Sequence, residues 1–278
     1  MHVFNTRRGI LAIKDKKCYT LSQSNWDLLI NRQGLHELLR VEIERLNPLN
    51  DIPDWLIDEV LPPIGTQEVW AAGVTYLRSR NARMDEAKES GGATFYDKVY
   101  DADRPELFFK ATPQRVSGHL QPVRIRKDST WNVPEPELTL FVNSWGTIEG
   151  YTVGNDMSSR SIEGENPLYL PQAKIYEQCA ALGPCVYVPE KPIPSSTLIS
   201  IEIKRAGRLM YADSTTLNSM KRKLEDLVAY LFRECNFSSG CFLMTGTCLV
   251  PPNEFTLAPG DEIAITIDEI GTLKNTVV

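Results

Sequence analysis

Apolar and polar positions alternate with a period of two along VPEPELTLFVN (133–143), GTIEGYTVGND (146–156), STLISIEIKRAG (196–207) and DEIAITIDEI (261–270). That period, with Gly, Pro and Asn between the runs, predicts an antiparallel or mixed β arrangement. Shorter strand-like pieces, GILAIKD and KKCYTLS, open the chain. They precede LHELLRVEIERL, whose Leu35, Leu38, Leu39, Val41 and Leu46 suit an amphipathic helix. A second helix is predicted from Leu217 through Leu224, Leu227, Val228 and Leu231, with Lys and Glu on its other face. Leu61-Pro62-Pro63-Ile64-Gly65 interrupts the pattern, since two prolines cannot continue a helix. The chain therefore reads as an α+β, mainly β protein, with a small N-terminal α+β domain over 1–64 and a larger β-rich domain over 65–278.

Composition narrows the function. With 278 residues, 42% hydrophobic and 24% charged, the chain can bury a sizeable core and does not read as disordered, collagen-like or coiled-coil. A net charge of −6 lacks the positive field of a general nucleic-acid or anionic-membrane binder, so neither is an expected partner. No run approaches a membrane span, and the start lacks the order of a secretory signal, which places the expected location in the cytoplasm. Six cysteines without a C-x-x-C pair suggest neither a zinc cage nor a disulfide framework. His2, His36 and His119 are too scattered for a histidine metal site or a Ser-His-Asp triad. Carboxylates and lysines remain as the carriers of chemistry.

Glu135 and Glu137, two apart on a strand, point the same way, and Pro136 between them requires a strand start or edge. A hairpin through Ser144-Trp145-Gly146 returns Asp156 to the same end. Three carboxylates in one cleft repel unless protonated or bridged by a cation, and all-oxygen ligation selects magnesium, calcium or manganese. The alternative is a solvated acidic face with Asp156 capping a turn. Lys174, in the otherwise uncharged LYLPQAKIY ahead of a Gly183-Pro184 turn, suits a base in apolar surroundings or an ordinary snorkelling lysine. Glu106 and Lys110 in RPELFFKATP bracket a cleft if Phe108 and Phe109 are core, or else they border a plain strand. Gly91-Gly92 and Gly164 make no phosphate loop. Thr245-Gly246-Thr247 reads as a tight turn offering hydroxyls, and the charged stretch from Arg78 to Arg104 as a flap.

From about Val69 onward, WAAGVTY, ELFFKATP, VPEPELTL, GYTVGNDMSSR, QAKIYEQCAALGP, TGT and APGDEIAITIDEIGTLKNTV, in this order and spacing, resemble the fumarylacetoacetate hydrolase family. The resemblance implies that 65–278 is a β-rich catalytic domain, often dimeric or of higher order (homodimer or homotetramer). It also implies a divalent metal, usually magnesium, on Glu135, Glu137 and Asp156, and an active-site lysine at Lys174. Members that cleave carbon–carbon bonds typically carry G-x-N-Y-x-x-H-x-x-E, whose His and Glu activate water. This chain has Ser79 and Ala82 at those places, and neither serves as a general base near neutral pH.

GVTYLRSR, DKVYDADRPELFFKATP and SIEGENPLYLPQAKIYEQCAALGP instead resemble the sugar-acid dehydratase branch. That branch implies magnesium-dependent dehydration of a 2-dehydro-3-deoxy-aldonate, a small-molecule 2-oxo sugar acid, to 2,5-dioxopentanoate through a metal-stabilised enolate. In such a scheme Lys174 and Glu106 share the proton transfers. Gly73, Val74, Thr75, Lys110 and Thr247 bind substrate. An acylpyruvate-type hydrolase, an oxaloacetate decarboxylase or tautomerase, and an inactive ligand-binding relative are the competing expectations.

Overall fold

The computed structural model describes residues 1–79, 84 and 93–278. Strands β1 (His2–Thr6), β2 (Gly9–Lys14) and β3 (Lys17–Thr20) precede helices α1 (Trp26–Ile30), α2 (Leu35–Ile43) and α3 (Leu56–Glu59). Then come β4 (Glu68–Gly73), α4 (Ala93–Asp101), β5 (Glu106–Ala111), and the short β6 (Val116–Ser117), β7 (Pro122–Val123) and β8 (Asn132–Val133). A long hairpin of β9 (Pro136–Val142) and β10 (Ile148–Asp156) leads into β11 (Ser158–Ser159), α5 (Arg160–Glu165) and α6 (Leu170–Lys174). The chain ends through β12 (Ala180–Tyr187), β13 (Leu198–Arg205), β14 (Arg208–Thr216), α7 (Leu224–Leu231), β15 (Cys241–Met244), β16 (Glu262–Ile267) and β17 (Gly271–Val277).

Among the described residues these strands form one sheet of ten in the order β3-β2-β1-β12-β10-β9-β15-β4-β5, with β6 added beside β12. A five-stranded sheet runs β14-β13-β16-β17-β7, and β11 pairs with β8 alone. The architecture is mainly β, as the alternation predicts. The proline-rich break falls between α3 and β4, and the strands on both sides of it belong to the large sheet.

Strand β9 shows why the layers stack. Its alternate residues Leu138, Leu140 and Val142 are buried against Ile199, Ile201 and Ile203 of β13 and Ile263, Ile265 and Ile267 of β16, joining the two sheets. Phe141 points to the opposite face, where it meets Phe242 with ring centroids 5.2 Å apart in the cluster that buries Leu29, Leu35 and Leu39 of α1 and α2. The large sheet is thus apolar on both faces, which accounts for the unbroken burial of β9.

Three local expectations are corrected. The buried stripe of α2 is Leu35, Leu39 and Ile43, while Leu38 is exposed, because a four-residue repeat follows the side of the helix facing the sheet. The late helix starts at Leu224; Leu217–Ser219 is a separate 3-10 turn. Gly183-Pro184 is no turn but lies inside β12. There Tyr151 pairs with Tyr187 and Val153 with Gly183, so Pro184 occupies a bulge that asks for no ladder N–H.

No helix among the described residues is long and apolar enough to cross a membrane. All six cysteines are free, and only Cys235 of them is exposed. Leu140→Ala, which removes a fully buried side chain between the sheets, should cost about 2–5 kcal/mol of unfolding free energy in a urea titration. A loss under about 1 kcal/mol would contradict the packing described.

Candidate metal centre and its ion-pair network

The β9–β10 hairpin builds the centre. Gly154 pairs with Glu137 and Asn155 with Pro136, and the Asp156 N–H donates to the Glu135 carbonyl at 3.0 Å. This register carries Asp156 back beside the E-x-E pair. Pro136 is the first residue of an interior strand, the strand-start position that its missing N–H allows. Glu135, Glu137 and Asp156 are all buried, and each offers an oxygen within 4.8 Å of the others.

Burial, together with the neighbouring Asp156 and Glu135 charges, pushes the Glu137 carboxyl well above the usual carboxylate range. The Gly246 N–H donates to Glu137 Oε2 at 2.6 Å. Gly246 has φ +92°, and a Cβ there would fall 2.1 Å from Thr75 Oγ1, so only glycine lets the backbone come this close.

Three cations surround the carboxylates. Lys174, at the end of α6, places Nζ 2.7 Å from Glu135 Oε2, 3.0 Å from Asp156 Oδ2, 2.5 Å from Ser158 Oγ and 3.3 Å from Glu163 Oε1. Lys110 of β5 ion-pairs with Asp156 Oδ1 at 2.6 Å and donates to the carbonyls of Met157 and Lys174. Arg160, opening α5, reaches Glu135 Oε1 at 2.6 Å and Glu163 Oε2 at 3.6 Å. All are essentially buried.

Lys174 therefore does not sit in the apolar surroundings its flanking residues suggest. A buried ammonium is tolerable only when carboxylates and hydroxyls replace its water. Arg160, Glu163, Ser158 and the Gly246 N–H were not foreseen as site groups. The three-residue spacing of Arg160 and Glu163 at the start of α5 is also that of an ordinary solvated helix surface, and only their burial sets them apart.

Gly73, Val74 and Thr247 line the small cavity over the carboxylates together with Phe108, Ser79 and Gly246. Its volume of about 20 Å³ is the size of an ion or a single water. Val74 has φ +53°, a costly conformation for a β-branched residue, at the position expected to present backbone to a ligand. Thr75 does not line the cavity; its hydroxyl donates to the Thr245 carbonyl at 2.7 Å. Lys110 lies behind Asp156 and also lines none of it.

Glu106 pairs with Gly73 across β4 and β5, and a Cβ on Gly73 would fall 2.0 Å from Glu106 Oε2. That glycine is what lets the Glu106 carboxylate lie over β4. Phe108 and Phe109 are not both core: Phe108 faces the cavity, while Phe109 packs edge-on against Trp70 at 5.9 Å, as neighbours on a strand must. Ser79 lies at the cavity with its hydroxyl donating to the Tyr76 carbonyl at 2.8 Å. Ala82, Gly91-Gly92 and much of the flap read from Arg78 to Arg104 lie outside the described residues.

The donor set fits a hard divalent cation. Its ligating atoms are carboxylate oxygens, and the repulsion that raises Glu137 is what such a cation relieves. Residues 69–278 match the family described as fumarylacetoacetate (FAA) hydrolase C-terminal, and the chain belongs to that family.

Within it, the chain is 43% identical, over 97% of its length and 95% of the relative's, to a probable 2-keto-3-deoxyxylonate dehydratase of Haloferax volcanii. It is 43% identical over 227 residues, 81% of the chain and 74% of the relative, to the 2-dehydro-3-deoxy-D-arabinonate dehydratase of Saccharolobus solfataricus. A solved 2-keto-3-deoxy-D-arabinonate dehydratase complexed with magnesium and 2,5-dioxopentanoate matches with a TM-score of 0.84 and 36% identity, covering 99% of this chain and 97% of that one.

Two outcomes test the centre. In the metal-free protein Glu137 keeps its proton above pH 4.5, the ordinary value at which it ionises in the unfolded chain. The folded state then binds more protons, so stability falls as pH rises. Thermal melts between about pH 5 and 8 should show this fall in the metal-free wild type. It should be smaller in Glu137→Gln and removed by added magnesium; equal slopes in both proteins would refute the assignment. Gly246→Ala should weaken magnesium binding about tenfold or more by calorimetry, since the N–H on Glu137 must retreat.

Proposed function

We propose that the chain is a hydro-lyase that removes water from a 2-dehydro-3-deoxy-aldonate, a pentonate of the arabinonate or xylonate type, to give 2,5-dioxopentanoate. The likeness over nearly the whole chain to dehydratases of these sugar acids carries the proposal. A matching chain solved with magnesium and that same product supports it. Glu135, Glu137 and Asp156 would hold the magnesium ion. When bound, it supplies Lewis acidity to the head group of a 2-oxo acid, acidifying the C3 protons.

The protein's own groups do the rest. A proton leaves C3 and hydroxide leaves C4, giving the C3–C4 double bond; loss of a C5 proton with protonation of C3 shifts it to the C4–C5 enol, and transfer of the enol O–H proton to C4 gives the C5 aldehyde. No carbon–carbon bond breaks. Lys174 Nζ, fixed beside Glu135 and Asp156 at the cavity wall, takes or relays the C3 proton: its ammonium gives one proton to a neighbouring carboxylate, and the amine so formed accepts the proton from C3. Glu106, over Gly73 and on the same strand face as Phe108, gives the departing hydroxide its proton. The Gly73-Val74 backbone and Thr247 position the acid, and the Phe108 ring limits water beside Lys174, whose Nζ lies 5.7 Å from its centroid.

Carbon–carbon hydrolysis is disfavoured. Ser79 stands where the water-activating histidine would be, and its hydroxyl is engaged by the Tyr76 backbone. The same proposal takes residues 1–64 as accessory to the catalytic 65–278 and places the protein in the cytoplasm, where its six free thiols stay reduced. It also takes the working form as a homodimer or homotetramer, on the family likeness.

Wild-type protein with magnesium and 2-dehydro-3-deoxy-pentonates should yield 2,5-dioxopentanoate by mass spectrometry; pyruvate from acylpyruvates instead would indicate a hydrolase. Glu106→Gln and Lys174→Ala should each lower kcat by about 100-fold or more, while magnesium binding persists in calorimetry. Turnover retained in either variant removes that residue from the scheme.

A further inference from the structure

Glu163 lies outside the metal triad, has no part in the proton transfers proposed above, and is 2% exposed. Its two oxygens face different cations: Oε1 lies 3.3 Å from Lys174 Nζ and Oε2 3.6 Å from Arg160 Nε. Both cations in turn reach Glu135, Arg160 at Oε1 (2.6 Å) and Lys174 at Oε2 (2.7 Å). Glu135, Arg160, Glu163 and Lys174 thus form a closed ring of alternating charge in which each carboxylate uses both oxygens. Every side chain in the ring is at most 5% exposed. Three of the four corners, Glu135, Arg160 and Lys174, line the cavity. Glu163 closes the ring on α5.

We propose that Glu163 is a positioning residue, which holds Lys174 and Arg160 from α5 and so fixes where Lys174 Nζ and the Glu135 carboxylate stand relative to the substrate. This rests on the reading of Lys174 as the proton carrier. A flexible four-carbon stem does not by itself keep an ammonium in one place. Glu135 and Asp156 belong to the metal triad and also contact Nζ, whereas Glu163 contacts it from outside that triad. Opening the ring lets Lys174 and Arg160 relax toward the triad, and misplacement of a reacting group by about 1 Å costs on the order of 100-fold in rate.

The test compares wild type, Glu163→Gln, which keeps shape without charge, and Glu163→Asp, which keeps charge on a shorter arm. In the magnesium-loaded enzyme, kcat should fall at least about tenfold in the Gln variant and by less in the Asp variant, with KM within about threefold of wild type. The dissociation constant for magnesium should likewise stay within about threefold by calorimetry. Crystal structures of the variants should show Lys174 Nζ displaced by about 1 Å or more. Wild-type kcat in both variants with Lys174 in place overturns the proposal, as does a loss confined to metal affinity. If the wild type dehydrates no sugar acid, the proposed function fails; the position of Lys174 in the Gln variant, moved or unmoved, then decides for or against the role of Glu163. Should the Gln variant not fold, the Asp variant's kcat and Lys174 position decide in the same way.

Discussion

Charge that has been taken out of water and must be answered locally governs this molecule. Glu135, Glu137, Asp156 and Glu163 lie buried among Lys110, Lys174 and Arg160. An ion in such a place is tolerated only with partners at contact distance, because its desolvation costs several kcal/mol. Among the described residues these four carboxylates face three cations, and burial, with the repulsion of Asp156 and Glu135 added to it, raises the proton affinity of Glu137. The buried carboxylates thus create an electrostatic deficit that one divalent cation would offset.

The fold serves that deficit by bringing distant segments to one end of one hairpin. Strand β9 supplies the E-x-E pair, β10 returns Asp156, β5 and α6 bring the lysines, and the turn after β15 aims the Gly246 N–H at Glu137. Packing on both faces of the large sheet makes the placement rigid: Leu138 and Leu140 lock β9 against the second sheet, and Phe141 locks it against α1 and α2. Close backbone approaches do the final fitting. Gly73 admits the Glu106 carboxylate and Gly246 admits Thr75, at sites where a Cβ would overlap an oxygen. The ion-sized cavity that results is lined by the three carboxylates together with Gly73, Val74 and Thr247.

What was legible in the sequence follows from which geometry is local. Strand alternation is local, so Glu135 and Glu137 on one face could be read directly. A hairpin between two alternating runs was enough to return Asp156. Lys174 drew notice as a lone charge in an apolar stretch, but the same stretch misled about its neighbours. Those neighbours come from β9, β10 and α5 and share no linear pattern with LYLPQAKIY. Thr75 and Lys110 illustrate the reverse: near the site in sequence logic, they turn their polar atoms to Thr245 and to the back of Asp156.

Arg160 and Glu163 were hidden for a different reason. An Arg and a Glu three apart at a helix start describe countless solvated surfaces, and on such a surface the pair contributes little. Burial alone changes their meaning. It is imposed by β10 ending at Asp156 and by the immediate turn through β11 into α5, which presses the first helical turn onto the carboxylates. Once water is excluded, the same two side chains can no longer be spectators: each must be matched, and each matches a group that the metal or the substrate also needs. The ordinary helix-surface pair becomes the frame of the site through the connection between two elements, a property of the fold that residue spacing does not encode.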